Sequence, residues 1–356
     1  MTRRLPVPAD EVGWLLPLVL LLCAAALAGC GEKEEPGGAA GGSAEPLRVM
    51  LDYFPNADHA GIYAAQESGA YAHAGLDVEI TPPPDPSAPL KLLLAGKTDL
   101  AISYEPEVLL AHDKGAQLVA VGALVQKPLT SLMAVGKADV RTPQDLRGKR
   151  VGTSGIPYQS AYLRTILETA GVDPGSVKET NVGFNLVPAM LSGKVDATLG
   201  AFWNYEGTDL QRRGRDPVIQ RMEKLGVPTY DELVFIARRR DLDEEFGAKL
   251  RRFLQATARG HEALKADSAT GVDGLLAADK GLDRGLQEAV VKATLPAFFP
   301  ADPERPFGYQ DPQEWQRYAD WMLDEGLITR PQDAEQLMTN EFLPGEGLDP
   351  GTISQD

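Results

Sequence analysis

Leu94-Ala95-Gly96-Lys97-Thr98-Asp99 returns 97 positions later (191 − 94) as Leu191-Ser192-Gly193-Lys194-Val195-Asp196. In both copies a short apolar helix pattern ends at a glycine, the residue that best tolerates the left-handed conformation of a helix C-cap. In both copies a strand pattern follows the aspartate. Each strand then runs out into aromatic and acidic residues, Tyr104-Glu105 in the first copy and Phe202-Trp203-Asn204-Tyr205-Glu206 in the second. A repeated helix–strand unit predicts two related lobes.

The surrounding sequence extends the pattern. Strand patterns cover 47–52, 76–80, 98–103, 116–124 and 131–135, with helix patterns at 59–71 and 90–95. The cycle then restarts with a strand at 149–152, a helix at 157–170, a strand at 177–182, a helix at 186–192 and a strand at 196–201. After residue 241 the chain reads as helical, including 244–266, 286–295 and 312–323. Such alternation predicts an α/β protein with parallel sheets. Ligands of open α/β sheets bind beyond the carboxyl ends of the strands. Four exits are rich in chemistry: Asp52-Tyr53-Phe54-Pro55-Asn56-Ala57-Asp58-His59, Tyr104-Glu105, Thr153-Ser154-Gly155-Ile156-Pro157-Tyr158, and 203–206. Two belong to each lobe, which predicts a ligand clamped between them.

Composition narrows the function. A length of 356 residues allows about two domains at roughly 150 residues each. The net charge of −16 argues against nucleic acid, whose phosphates call for basic patches. Both cysteines, Cys23 and Cys30, lie near the N-terminus, which excludes a disulfide scaffold, a cysteine zinc site or a catalytic thiol in the body. His59, His73, His112 and His261 show no metal-ligand spacing. Ala95-Gly96-Lys97-Thr98 resembles the end of a P-loop, but Lys91 stands where the earlier glycine is required. Gly152-Thr153-Ser154-Gly155 fails as a nucleophile elbow because Ile156 replaces the second glycine. No catalytic residue, metal site or cofactor is expected.

The N-terminus addresses location. Arg3 and Arg4 precede an apolar run at 14–28, the layout of a secretory signal. About 15 residues is short for a membrane span. Leu27-Ala28-Gly29-Cys30 is similar to the bacterial lipobox, which implies cleavage before Cys30 and lipidation of its thiol. Gly, Ser, Glu and Pro dominate 31–46, a flexible tether composition. The expected organisation is a signal peptide at 1–29 and a lipidated Cys30 with tether at 30–46. The body is then anchored at the outer face of the cytoplasmic membrane, in the periplasm or at the cell surface.

The 51–59 stretch, with Gly61, Tyr63, Ala64, Gly69 and Gly75-Leu76-Asp77-Val78-Glu79-Ile80, resembles the first lobe of bacterial thiamine pyrimidine-precursor-binding proteins. Val151-Gly152-Thr153-Ser154-Gly155-Ile156-Pro157-Tyr158, Asn181-Val182-Gly183-Phe184, 196–206 and Pro228-Thr229-Tyr230-Asp231-Glu232-Leu233 resemble the second. The resemblance runs from about 47 to 318. It implies a type II periplasmic-binding-protein fold with the ligand in an interlobe cleft. Lobe 1 is expected at 47–135 plus 236–356 and lobe 2 at 136–235, joined by a two-segment hinge near Val135 and Phe235. The implied role is the solute-binding subunit of an ABC importer, a monomer whose partners are a small heteroaromatic ligand and a membrane permease. A riboflavin or alkylsulfonate ligand is the alternative within that class. A pyrimidine-synthesising enzyme is the alternative outside it. The family's eukaryotic enzymes depend on a cysteine-rich motif, and this sequence has no cysteine after Cys30, so a non-enzyme is expected.

Ten residues are candidate ligand contacts. Tyr53 and Trp203 are either stacking faces for a flat ring or ordinary core aromatics. Asn56 either contacts ligand or shapes the turn after Pro55. His59 either opens a helix or binds. Tyr104 and Glu105 contact either ligand or the opposite lobe. Ser154 and Gly155 precede Pro157, a good first-turn residue, so free N–H groups there can face a polar ligand group. Tyr158 can reach the same cleft. Trp203 and Glu206 are three residues apart and share a face if the helix begins there. Trp203 would then stack on the ring and Glu206 accept from an exocyclic amine. The run Arg238-Arg239-Arg240 and the pair Arg251-Arg252 read as solvated faces.

Overall fold

The computed structural model describes residues 44–345, except Pro86 and Lys137. The signal at 1–29, Cys30 and the tether through residue 43 lie outside the described residues. The described strands are β1 (Glu45–Met50), β2 (Leu76–Thr81), β3 (Leu100–Ser103), β4 (Leu118–Val125), β5 (Thr130–Val135), β6 (Arg150–Thr153), β7 (Lys178–Asn181), β8 (Ala197–Phe202), β9 (Pro217–Arg221) and β10 (Leu233–Arg238). They form two five-stranded sheets, ordered β2-β1-β3-β10-β4 and β7-β6-β8-β5-β9. β1 pairs in parallel with β2 and β3, and β6 with β7 and β8. One strand in each sheet runs antiparallel to both neighbours, β10 in the first and β5 in the second.

The two sheets therefore share one plan, with the strand arriving from the other lobe inserted in the same place. The chain crosses twice, between β4 and β5 and again between β9 and β10. This corrects the expected boundary at 135. Residues 131–135 belong to the second sheet, because β5 is sandwiched between β8 and β9 and buried along almost its whole length. β1 also starts earlier than expected, so residues 45 and 46 are strand rather than tether.

Helices cover the sheets: α1 (Ala60–Glu67), α2 (Ala70–His73), α3 (Ala88–Leu94), α4 (Glu105–Asp113), α5 (Pro157–Thr169), α6 (Leu186–Leu191), α7 (Glu206–Arg212), α8 (Glu244–Ala266), α9 (Val272–Ala278), α10 (Arg284–Phe298) and α11 (Pro312–Asp324). The sequence echo is a structural repeat. Gly96 and Gly193 both take φ of 72°, and the next N–H closes back on Leu92 O and Ala189 O, 2.9 Å each. These are Schellman closures of α3 and α6. Asp99 then accepts the Arg48 N–H at 2.9 Å and its guanidinium fork. Asp196 does the same for Arg150 at 2.8 Å. In each lobe the aspartate pins the third strand beside the first, which fixes where both strands end.

The core is continuous under each sheet. Leu233, Val234, Phe235, Ile236 and Ala237 of β10 are all buried. Burying each large apolar side chain contributes about 1.5–3 kcal/mol. α8 lies hard against α1: a Cβ on Gly260 would fall 2.0 Å from Gly61 O, so only glycine allows this approach.

Candidate functional site

A cavity of about 270 Å³ opens between the carboxyl ends of the two sheets. The exit of β1 brings Asp52, Tyr53, Asn56 and Asp58 to it, and the exit of β3 brings Tyr104. The second lobe supplies Ser154, Tyr158, Gln159, Phe184, Phe202, Tyr205 and Glu206. Thr130 and Glu232 come from the crossings.

The first-lobe wall is organised around Asp52. Its Oδ1 faces His59 Nε2 at 2.9 Å, and its Oδ2 accepts from the Tyr104 hydroxyl at 2.8 Å. The Asn56 N–H points at His59 Nδ1 at 3.3 Å, so Nδ1 is the acceptor and the proton sits on Nε2, toward Asp52. Asn56 caps the turn, with Oδ1 accepting the Asp58 N–H at 2.8 Å and Nδ2 donating to Phe54 O at 2.9 Å. Asn56 thus lines the cavity while shaping its own loop. Tyr53 meets Phe184 of the opposite lobe edge-on, ring centroids 4.2 Å apart, and Phe54 packs on Phe184 at 5.5 Å. Burial, with Glu206 nearby, pushes the Tyr53 hydroxyl well up, so it stays a neutral donor.

The second-lobe wall begins at α5. The Ser154 N–H donates to Gln159 Oε1 at 2.8 Å, so the N–H expected for a ligand is committed to a side chain. Gly155 takes φ of 79° and is not on the lining; a Cβ there would collide with Asn181. Gly200 forms the floor at φ of 123°, where a Cβ would sit 2.6 Å from Gln159 Nε2. Tyr158 is buried and lines the cavity, 6.5 Å from the Tyr104 ring.

Glu206 heads α7, and its Oε2 accepts the Phe202 N–H at 2.8 Å. Burial pushes its carboxyl up to about 7, against the pull of that bond. A carboxylate has about four acceptor positions, so capacity remains for a ligand donor.

Besides Gly155, three expected contacts lie elsewhere. Trp203 is held on the first crossing: its indole N–H donates to Pro128 O at 3.0 Å, and the Arg221 guanidinium lies 3.9 Å over its ring. Helix α7 begins only at Glu206, so the three-residue spacing does not put Trp203 and Glu206 on one face. His59 stands behind Asp52, fully buried and off the lining. Glu105 is also fully buried, and its Oε2 accepts the Asp231 N–H at 2.7 Å on the return crossing. Burial and the neighbouring Asp231 push its carboxyl well up.

The structure adds residues that the sequence reading does not single out. Glu232 joins the two crossings, its Oε2 accepting N–H groups of Leu129 (2.6 Å) and Thr130 (2.8 Å) and its Oε1 the Thr130 hydroxyl (2.9 Å). Asp58, Gln159, Phe184, Phe202 and Tyr205 also join the lining. Phe184 and Glu232 stand inside stretches already matched on family resemblance, which is the one signal that could have raised them. The lining contains Asp52, Asp58, Glu206, Glu232 and Asp279 and, among the described residues, no lysine or arginine. Such a site offers acceptors and aromatic faces to a ligand rich in donors.

The chain is similar to the formylaminopyrimidine-binding protein of Halalkalibacterium halodurans, 35% identical over 298 residues, covering 83% of this chain and 90% of that protein. It is similar to a putative thiamine biosynthesis protein of Haemophilus influenzae, 34% identical over 287 residues, covering 80% and 89%. A 4-amino-5-hydroxymethyl-2-methylpyrimidine phosphate synthase of Legionella pneumophila is 26% identical over 301 residues, covering 84% and 92%. Among solved structures, the periplasmic aliphatic sulphonate-binding protein SsuA of Escherichia coli superposes with a TM-score of 0.65 at 18% identity, covering 84% and 98%. That likeness shows the fold, a type II periplasmic-binding-protein architecture. The family model described as NMT1/THI5 like matches residues 56–269, more than half of the chain. With two relatives above 30% identity along nearly their whole length, the chain belongs to the NMT1/THI5-like family.

Proposed function

We propose that this protein is the extracytoplasmic solute-binding subunit of an ABC importer and that it captures a thiamine pyrimidine precursor of the formylaminopyrimidine kind. The observation that carries the reading is the interlobe cavity, with aromatic walls, several carboxylates and no cationic residue on its described lining. An aminopyrimidine is flat and carries an exocyclic amine. Phe202, Tyr205 and Tyr53 offer rings, and an offset aromatic contact adds about 0.5–1.5 kcal/mol beyond burial. Glu206 offers a charged acceptor, worth about 1.5–3 kcal/mol to an amine donor. The relative that is named for binding formylaminopyrimidine supports the same class.

Two other readings fit less well. An alkylsulfonate would meet carboxylates where an anion calls for donors or cations. A pyrimidine synthase is named among relatives at 26% identity, but this chain has no cysteine after Cys30 to supply the motif that its resemblance to the family's eukaryotic enzymes would call for. The secretory signal and lipobox support delivery to the outer face of the membrane, with Cys30 as the lipidated anchor and a permease as the partner. The test is mass spectrometry of ligand carried through purification, followed by a thermal-shift panel. An aminopyrimidine mass supports the proposal, and that compound at 100 times its dissociation constant should stabilise by about 2.7 kcal/mol. A riboflavin or sulfonate mass, or turnover to a pyrimidine phosphate, would overturn it.

A further inference from the structure

We propose that Asn204 is a positioning residue for ligand capture, locking segment 203–206 of the second lobe onto the first lobe through both hydrogens of its amide. The proposal rests on the reading of the cleft as a solute-binding site. Asn204 is fully buried and off the cavity lining. Its Nδ2 donates to Asp58 Oδ1 at 2.6 Å and to Thr294 Oγ1 at 2.7 Å. Asp58 stands in the turn after β1, Thr294 on α10, and Asn204 in the exit of β8, so both bonds span the lobes.

The arrangement has a fixed polarity. The Thr294 hydroxyl hydrogen faces two acceptors, Val290 O at 2.8 Å and Asp58 Oδ1 at 3.2 Å, and given to either it leaves the oxygen to accept from the Asn204 amide. Asp58 is buried, and no lysine or arginine pairs with it among the described residues. Both partners therefore call for a donor, and an amide nitrogen has two hydrogens to give. The next two residues along the chain are Tyr205 and Glu206, both on the lining. The Tyr205 hydroxyl accepts from Gln287 Nε2 of α10 at 3.1 Å, so Asn204 and Tyr205 are both tied to the first lobe. Tyr205 and Glu206 take their places beside the ligand only when Asn204 engages. The titratable groups around the pair are His59 and Asp52 on the first-lobe side and Tyr205 and Glu206 on the second.

Asn204→Asp tests this with almost no change in shape. It replaces the donor by a carboxylate against Asp58, and buried carboxylates in contact cannot both ionise. One shared proton at lower pH restores the bond. Calorimetry with formylaminopyrimidine should show N204D binding about 100-fold weaker than wild type at pH 8, with at least tenfold of that loss recovered at pH 5.5. N204A should lose about tenfold at both pH values. The swapped pair D58N/N204D should regain affinity at pH 8, because the amide now sits opposite the carboxylate. Small-angle scattering without ligand reads lobe closure whatever the site binds: N204D should be expanded at pH 8 and contract at pH 5.5. If wild type ignores formylaminopyrimidine while scattering follows this pattern, the solute assignment falls and the lock stands. An N204D loss equal at both pH values and not rescued by the swap, or no loss at all, overturns the lock.

Discussion

Glu206→Gln should move affinity and stability in opposite directions. The carboxyl lines the cavity, accepts one backbone N–H at 2.8 Å, and is pushed by burial from an ordinary 4.5 up to about 7. A folded state that raises an acid's pKa binds the proton more tightly than the unfolded chain does. Stability from this group is thus fully present below pH 4.5 and declines as pH rises toward 7. At about 1.36 kcal/mol per pH unit, the decline over that window is roughly 3 kcal/mol. Glutamine carries no charge and can still accept the Phe202 N–H through its carbonyl. At pH 8 the variant should therefore melt higher than wild type by about 6 °C, taking roughly 2 °C per kcal/mol for a chain of this size. At pH 4.5 the difference should vanish. Affinity should fall, because a charged acceptor bond is worth about 1.5–3 kcal/mol, or about 10- to 100-fold. Scanning calorimetry and ligand titration on one preparation read both effects. Unchanged affinity together with a lower melting temperature at pH 8 would refute the argument and make Glu206 a structural residue.

The same physics acts on the buried carboxyls together. Glu107 and Glu232 are also pushed up to about 7 and Asp58 to about 6, all by burial, so each contributes stability that is lost as pH rises. Buried His261, lowered to about 4, acts oppositely and loses stability as pH falls below 6.5, but it is one group against several. The melting temperature should be higher at pH 5.5 than at pH 8; the reverse order would contradict the burial argument. Gly200→Ala forces a side chain to φ of 123° and against Gln159, which should destabilise by about 1–3 kcal/mol and abolish ligand binding, read by melting and titration. Cys30→Ala should leave binding intact and release the body from the membrane fraction; membrane retention equal to wild type would contradict the lipid anchor.

What the sequence makes legible is what short-range signals encode. The repeat ending at Asp99 and Asp196 is readable because a helix stop, a glycine cap and a strand start fall within six residues, and the arginine pairings follow from that geometry. The strand exits likewise coincide with the end of each sheet at which the cavity opens. The lobe boundary is not readable this way. β4 and β5 are both buried apolar runs, and only pairing with distant strands assigns β5 to the second sheet. Trp203 misleads because an i, i+3 face exists only inside a helix, and the helix starts at Glu206. Helix α4 is overlooked because Tyr104-Glu105 reads as a strand exit, although Pro106 and Glu107 suit a first turn. Asp58 looks like an ordinary turn residue, and its importance comes from an amide 146 positions away.

If the interlobe cavity takes a flat, donor-rich pyrimidine rather than an anion, the wild-type protein must tell the two apart. Calorimetric titration of the wild-type protein with formylaminopyrimidine and, separately, with a simple alkylsulfonate tests it most directly. The pyrimidine should bind saturably and one-to-one, more weakly in Glu206→Gln, and the sulfonate should not bind at the same concentrations. Tight sulfonate binding with no heat from the pyrimidine would contradict it.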